Sequence, residues 1–409
     1  MQEKELIPYL FRTEFRKIVS VLCKTLGLQD MDAAEDIAGE TFLAAMEVWP
    51  YKGLPPNPTA WLYTTAKNKT SNYLRRRKIF EEKVASQITP MDSETSFEPD
   101  LSENNISDSQ LRMLFAICHP AIPQESQVGM ALRILCGFGI DEIASAFLTS
   151  KETVNKRLLR AKEKLREEKI SMKIPSDNEL LIARMESVLK TIYLLFNEGY
   201  YSENDDAVIR EDLCLEAMRL AVLLTDDPRT DLPEVSALLA LMCFHASRFR
   251  ARKNGTGEIV LYADQDESLW DQDLIARGGY YMKRSSGGKT LSKFHLEAAI
   301  AYWHTRKEES SEKWESILQL YNKLLQIEYS PVAALNRTYA LSKANGTTQA
   351  IQEAEKLKLE GNPFYYSLLG ELYSSKDIDK AKLYFEKAIT CARTFADRRI
   401  LEERIRKSH

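Results

Sequence analysis

Over the first 83 positions apolar residues recur at the three-and-four spacing of an α-helix, most clearly in "DAAEDIAGETFLAAMEVW", residues 32–49. Ala34, Ile37, Ala38, Thr41, Ala45 and Trp49 fall along one side of that helix. Asp32, Glu35, Asp36, Glu40 and Glu47 lie mostly elsewhere, so the spacing predicts an amphipathic helix with an acidic outer face. The next stretch, "YKGLPPNP" from Tyr51 to Pro58, cannot continue it. Gly53, Pro55 and Pro56 break helical geometry, and Asn57 caps a new helix with Pro58 at its first position. The expected result is a loop feeding a helix over "NPTAWLYTTAKNKTSNYLRRRK", residues 57–78.

Residues 84–108 have a different texture. Asp92, Glu94, Glu98, Asp100, Glu103 and Asp108 alternate with Pro90, Pro99 and many Ser and Asn, the composition of an acidic, flexible linker. Helical spacing resumes over 109–173. Within "GFGIDEIASAFLTSKETVNKRLLRAKEKLRE" a short helix (Asp141 to Phe147), a tight turn (Leu148 to Ser150) and a longer cationic helix are expected. Thr149 with Glu152 three residues on is a capping box that starts the second helix abruptly, and two helices so joined form a helix-turn-helix. Ile140, Ile143, Ala144, Phe147, Val154, Leu158 and Leu159 are its expected core.

The rest of the chain, 174–409, reads as helical. In "YSLLGELYSSKDIDKAKLYFEKAI", Tyr366, Leu369, Gly370, Tyr373, Ala381, Phe385 and Ala388 follow the tetratricopeptide pattern, with the turn after Tyr373 one residue short. Leu335 and Tyr339 precede Leu369 and Tyr373 by 34 residues, the period of that repeat, although Asn336 stands where Gly370 stands. Together with the helix from Trp314, these copies predict stacked helix pairs between about 314 and 392. The whole chain is therefore expected to be all-α, in four parts: 1–83, a linker at 84–108, 109–173 and 174–409.

Composition narrows the function classes. With 409 residues, 44% of them hydrophobic, and a net charge of -4, the chain suits a soluble protein of several domains. No apolar run approaches the ~18 residues that span a bilayer, and the first residues lack a signal-peptide core, so a cytoplasmic protein without membrane contact is expected. The six Cys and five His follow no metal or disulfide spacing, which predicts no metal, no cofactor and reduced, mostly buried cysteines. "SSGGKT", residues 285–290, is no phosphate-binding loop, because Lys283 stands where that motif needs Gly. Gly278, Gly279, Gly287 and Gly288 read as loop glycines. With no nucleophile motif either, the chain is not expected to be an enzyme.

Charge becomes informative locally. Residues 57–78 interleave Trp61, Tyr63 and Tyr73 with Lys67, Asn68, Lys69 and Asn72 and end in Arg75, Arg76, Arg77 and Lys78, next to Tyr51 and Lys52 of the loop. Cations at a helix end also suit the helix dipole, and Trp61 also suits a core. Aromatics among cations suit unpaired nucleic acid, since bases stack on rings and phosphates meet Lys and Arg. Between 151 and 173 nine cations face four acids. A recognition helix there would offer Lys151, Thr153, Asn155 and Lys156, then Arg157 and Arg160, to a major groove. "FNEGYY" (196–201) and "DESLWDQDLI" (266–275) are locally unusual and gain no role from these arguments.

In order and pairing these segments resemble the extracytoplasmic-function (ECF) group of bacterial RNA polymerase sigma factors. Residues 32–78 are similar to sigma region 2, residues 109–170 to region 4, and "LFNEGYY" with the repeat-like tail to the subgroup with a large C-terminal extension. The resemblance implies a factor that binds core RNA polymerase and directs promoter-specific initiation. It implies docking of Asp36, Glu40 and Trp49 on the β′ clamp helices, with the β flap as a second polymerase contact. Tyr51, Lys52, Trp61, Asn68, Asn72, Arg75, Arg76 and Arg77 would meet the minus-ten element, and Lys151, Thr153, Asn155, Lys156, Arg157 and Arg160 the minus-thirty-five element. The linker would pass near the RNA path, and the C-terminal helices would regulate activity, with a protein or peptide as possible ligand. A one-component helix-turn-helix regulator with a helical sensor domain is the rival reading.

Overall fold

The run Ile18 to Cys23 is buried on every side, which makes the helix that carries it, α1 (Glu3–Leu26), the centre of the first half of the chain. A helix without a polar face has nowhere to sit except inside other elements. Around α1 pack α2 (Met31–Lys52), α3 (Pro58–Val84), α4 (Glu103–Ile117) and a π-turn over 131–135. Ser20, in the middle of the run, returns its hydroxyl to the Arg16 carbonyl at 2.8 Å and so buries no unpaired donor. The chain is known from a computed structural model that describes residues 3–84, 99–147, 149–200, 210–253, 260, 262–288, 290–392, 398, 401, 402 and 405.

The described residues form 17 α-helices and no β-strand element. They divide into two compact units, 1–195 and 196–409. The first continues through α5 (Gln124–Met130), α6 (Ile140–Ala146), α7 (Lys151–Glu167) and most of α8 (Asn178–Tyr200). Gly137, at φ 75°, lets the turn before α6 press on α1, since a Cβ there would stand 3.0 Å from the Arg12 carbonyl oxygen. α8 is tied in by Gln127, whose buried amide donates to His119 O and Ile122 O and accepts from Ser187 and Thr191. Arg184 of the same helix donates to Phe115 O at 2.8 Å.

The second unit runs through α9 (Glu211–Leu223), the almost wholly buried α10 (Pro233–Ala246), α11 (Gln272–Ser285) and α12 (Lys293–Trp303). Then come α13 (Ser311–Ile327), α14 (Pro331–Asn345), α15 (Thr347–Leu357), α16 (Pro363–Tyr373) and α17 (Ile378–Cys391), each packed on the next. Their shared core holds Trp314, Leu335, Leu369, Tyr373, Ala381, Phe385 and Ala388. Gly370 matters here for a packing reason. A Cβ on it would stand 2.7 Å from the Phe385 ring, so only Gly lets α16 and α17 approach so closely.

Several expectations need correction. α2 continues through Pro50 to Lys52, so the loop begins at Gly53. Pro50 has no N–H to give the Met46 carbonyl, a loss confined to the last turn of α2. The linker expected over 84–108 lies outside the described residues from 85 to 98, and by Glu103 the chain is already helical as α4. α7 is capped by Ser150, whose hydroxyl accepts from Thr153 N at 3.2 Å, and not by Thr149. Leu159, expected in the core, is exposed, while Ile143, Ala144, Val154 and Leu158 are buried. Gly278 and Gly279 belong to α11 and not to a loop, and Gly278 is the point where α11 meets the Phe244 ring. Lys289 of the glycine-rich stretch lies outside the described residues.

Gly370→Val is expected to destabilise the second unit by about 1–3 kcal/mol, the usual cost of overpacking a filled core. Urea unfolding followed by far-UV circular dichroism reads it. An unchanged midpoint would mean that α16 and α17 are not in this contact.

Candidate nucleic-acid interface

The spacing of α3 sorts its residues onto two faces. Leu62, Ala66 and Thr70 are buried against the first unit, and Asn57 caps the helix by accepting from Ala60 N at 3.0 Å. Opposite them, Trp61, Asn68, Asn72, Arg75 and Arg76 lie along one stripe, with Trp61 half-buried and the other four exposed. Asn72 accepts from Arg75 at 3.0 Å, which steadies that guanidinium on the stripe. Arg77 falls on the other flank and pairs with Asp30 at 2.5 Å. Tyr51, 89% exposed, and the exposed Lys52 sit at the end of α2 beside the loop. Tyr63 faces inward and donates to Glu14 at 2.6 Å. Burial and that carboxylate push its phenol well above the ordinary range.

The three α2 residues to which the resemblance gives a docking role divide. Asp36 and Glu40 are exposed, and Glu40 also takes Lys69 at 2.8 Å. Trp49 is 4% exposed and packs edge-on to Trp61 at 5.4 Å, so it belongs to the core and cannot present itself to a partner. Leu43 and Met46, more than half exposed, stand on the outward side instead. The sequence held that signal, because neither residue falls on the buried side of the helical repeat.

On α7 the exposed side carries Asn155, Lys156 and Arg160, with Leu159 among them. Lys151 is paired with Asp141 at 2.7 Å and Arg157 with Glu125 at 2.9 Å, both in exposed pairs that a phosphate can displace. Thr153 is half-buried and shares its hydroxyl with Ser150.

The far flank of α7 is committed elsewhere. Lys162 reaches Asp32 at 2.8 Å and also pairs with Glu35, while Arg166 pairs with Asp32 and donates to Gln29 O at 3.1 Å. Arg133 approaches Glu35 at 3.5 Å. This clasp joins the start of α2 to the end of the cationic helix, and the side chains of Lys162 and Glu35 are each only 14% exposed. Hydrogen bonding from Lys162 draws the Asp32 carboxyl below its ordinary value. Burial alone would lower the Lys162 ammonium, but the carboxylates of Glu35 and Asp32 outweigh it and raise the group. No group of three or more metal-ligating side chains occurs among the described residues, and no helix among them is long and apolar enough to cross a membrane.

Residues 10–79 match the family described as Sigma-70 region 2, and residues 184–286 match a Family of unknown function (DUF6596). An uncharacterized protein of Rhizobium meliloti is 33% identical over 372 residues, which cover 89% of this chain and 87% of that protein. The ECF RNA polymerase sigma-E factor of Haemophilus influenzae is 29% identical over 153 residues, 36% of this chain and 78% of that protein. No solved structure matches. The exposed stripe of α3 thus lies within the segment similar to sigma region 2.

The clasp makes two expectations. Glu35→Gln leaves Lys162 short of a partner in a nearly closed site and should lower stability by about 2–4 kcal/mol, whereas Glu35→Leu with Lys162→Met should recover most of that loss. Additive losses in denaturant titrations would show that the two residues do not act as a pair. The pH dependence has two limbs. The Asp32 contribution is present above pH ~4 and lost as pH falls through its lowered value, and the Lys162 contribution is lost as pH rises through its raised one. Asp32→Asn should therefore flatten the acid limb of a stability-against-pH curve, and an unaltered limb would remove Asp32 from the account.

Proposed function

The chain belongs to the same family as the uncharacterized Rhizobium meliloti protein and carries a sigma-70 region 2 near its N-terminal end, and from that premise we propose that it is an ECF-type sigma factor. It binds core RNA polymerase and directs initiation at a particular class of promoter, while RNA synthesis remains the work of the polymerase. The observation that carries this reading is the stripe of half-buried Trp61 and exposed Asn68, Asn72, Arg75 and Arg76 within the segment matched by Sigma-70 region 2. An indole beside amides and guanidiniums offers a stacking surface, base-edge donors and phosphate partners at once.

The assignments follow the exposed surfaces. Tyr51 and Lys52 extend the minus-ten surface, and Arg77 serves it by holding the helix end against Asp30. Lys156, Arg157 and Arg160, with Lys151 and Asn155, read the minus-thirty-five element from α7, where Thr153 helps Ser150 fix the helix start. α6 and α7 are then a helix-turn-helix, and Arg157 exchanges Glu125 for DNA. The outer face of α2, with Asp36, Glu40, Leu43 and Met46, docks on the polymerase. Charged residues around two exposed apolar side chains suit such a contact better than the buried Trp49 does. The paired helices α12 to α17 are read as tetratricopeptide-like, with the period linking Leu335 to Leu369 in support.

Promoter-directed transcription by purified core RNA polymerase should fall at least 10-fold when Arg157→Ala and Arg160→Ala are combined, with core binding retained. Equal transcription by the double variant would remove α7 from promoter reading. A chain ending at Leu195 tests the regulatory role of the C-terminal unit. Ending it near residue 177 would also remove Arg184, Ser187 and Thr191, which tie α8 into the first unit. Transcription by the shorter chain should differ from that of the intact chain at equal protein levels, and identical output would contradict regulation by this unit.

A further inference from the structure

Five buried polar atoms of the second unit lie in one neighbourhood without a hydrogen-bond partner: His245 Nδ1, Arg248 Nε, Gln265 Oε1, Trp270 Nε1 and His304 Nδ1. They surround two tyrosine rings. The Tyr262 ring is 5.2 Å from that of His304 and 6.2 Å from that of Trp270, with the Arg248 guanidinium 5.5 Å from its centre. The Tyr200 ring is 4.6 Å from that of His245, and its hydroxyl is 3.4 Å from Arg248. Gln265 closes the turn that begins at Tyr262. Native proteins rarely leave one such group unmatched, and several beside the same two rings point to a polar ligand.

The charge balance says what kind. Lys313, fully buried, has the Arg306 carbonyl at 2.6 Å, the Tyr262 hydroxyl at 3.2 Å and Glu309 at 3.5 Å, and Glu309 also takes Trp314 Nε1 at 2.6 Å. That carboxylate is therefore already engaged. Arg248 is 8% exposed and bonds no carboxylate among the described residues. Burial holds both imidazoles below their ordinary value, helped by Arg248 and Arg252 at His245 and by Arg248 and Lys313 at His304, which is lowered to about 3, so neither supplies a charge at neutral pH. A buried guanidinium without an anion is an unfavourable state that an anionic ligand would relieve.

We propose that this cluster binds a small planar carboxylate. Arg248 Nε–H and Trp270 Nε1–H donate to the two carboxylate oxygens, and the Tyr262 ring lines the flat body, since the Tyr200 ring is already covered by the Arg252 guanidinium at 4.0 Å and by the Phe196 ring. Gln265 Oε1 accepts from a hydroxyl or N–H elsewhere on the ligand. One buried guanidinium suits a monoanion better than a phosphate. The two stretches that no other argument absorbs meet here: "FNEGYY" brings Tyr200, and "DESLWDQDLI" brings Trp270. The site is independent of the transcription reading, because its test reads binding alone.

The test titrates the full chain with benzoate, with benzamide as the neutral analogue of the same shape, and with inorganic phosphate, by calorimetry at constant ionic strength. Saturable benzoate binding, at least 10-fold tighter than benzamide, is expected. Arg248→Met should abolish it, and Trp270→Phe, which keeps the aromatic wall and removes one donor, should weaken it several-fold. Because the removed charge lacks an anion, the unliganded Arg248→Met chain should melt no lower than the parent. Equal behaviour of benzoate and benzamide, or unchanged binding by either variant, would overturn the proposal. A sharply lowered melting temperature for unliganded Arg248→Met would mark a structural arginine and do the same. Saturable phosphate binding without benzoate binding would overturn the carboxylate assignment.

Discussion

The first unit depends on one constraint: the run Ile18 to Cys23 has no polar face, so α1 must be enclosed. Each fully buried aliphatic side chain of that run is worth about 1.5–3 kcal/mol relative to exposure. Those gains require α2, α3, α4 and the 131–135 turn to be in place together. The N-terminal helices and the cationic helix α7 therefore share a body even though 85–98 intervene in sequence. At its edge Asp32 and Glu35 meet Lys162, Arg166 and Arg133, which fixes the register between α2 and α7.

Enclosing α1 also decides which side chains remain for partners. α3 spends Leu62, Ala66 and Thr70 on the core, and helical spacing then leaves Asn68, Asn72, Arg75 and Arg76 outside on a common stripe. α7 spends Val154, Leu158, Ala161 and Leu165 in the same way and leaves Lys156 and Arg160 outside. A mildly acidic protein thus carries two local cationic surfaces without a basic overall balance, and its acids are partly consumed in the clasp.

Much of this was legible in the sequence where local spacing governs. The buried side of α2, the Asn57 cap and the short helix pair at α6 and α7 are set by residues within a turn or two of each other. Helical spacing put Trp49 on the apolar side of α2, where it lies, and only the docking role implied by the resemblance placed it outside. Trp61, 12 positions on, decides for the core. Ser150 displaced Thr149 as cap by a single step of register, which composition does not resolve. The clasp and the Arg248 cluster were not legible because their members come from distant segments, and only the fold shows which charges meet and which do not. Gly278 misled for a related reason: a glycine pair reads as a loop until the Phe244 ring explains it.

The most direct measurement of the central claim is the mapping of transcript 5′ ends made by core RNA polymerase with and without the full chain, on DNA from upstream of its own gene. The account predicts a discrete start site that appears only when the chain is present. A chain that binds that DNA by itself while core polymerase initiates equally well without it would contradict the sigma-factor reading and favour a one-component regulator.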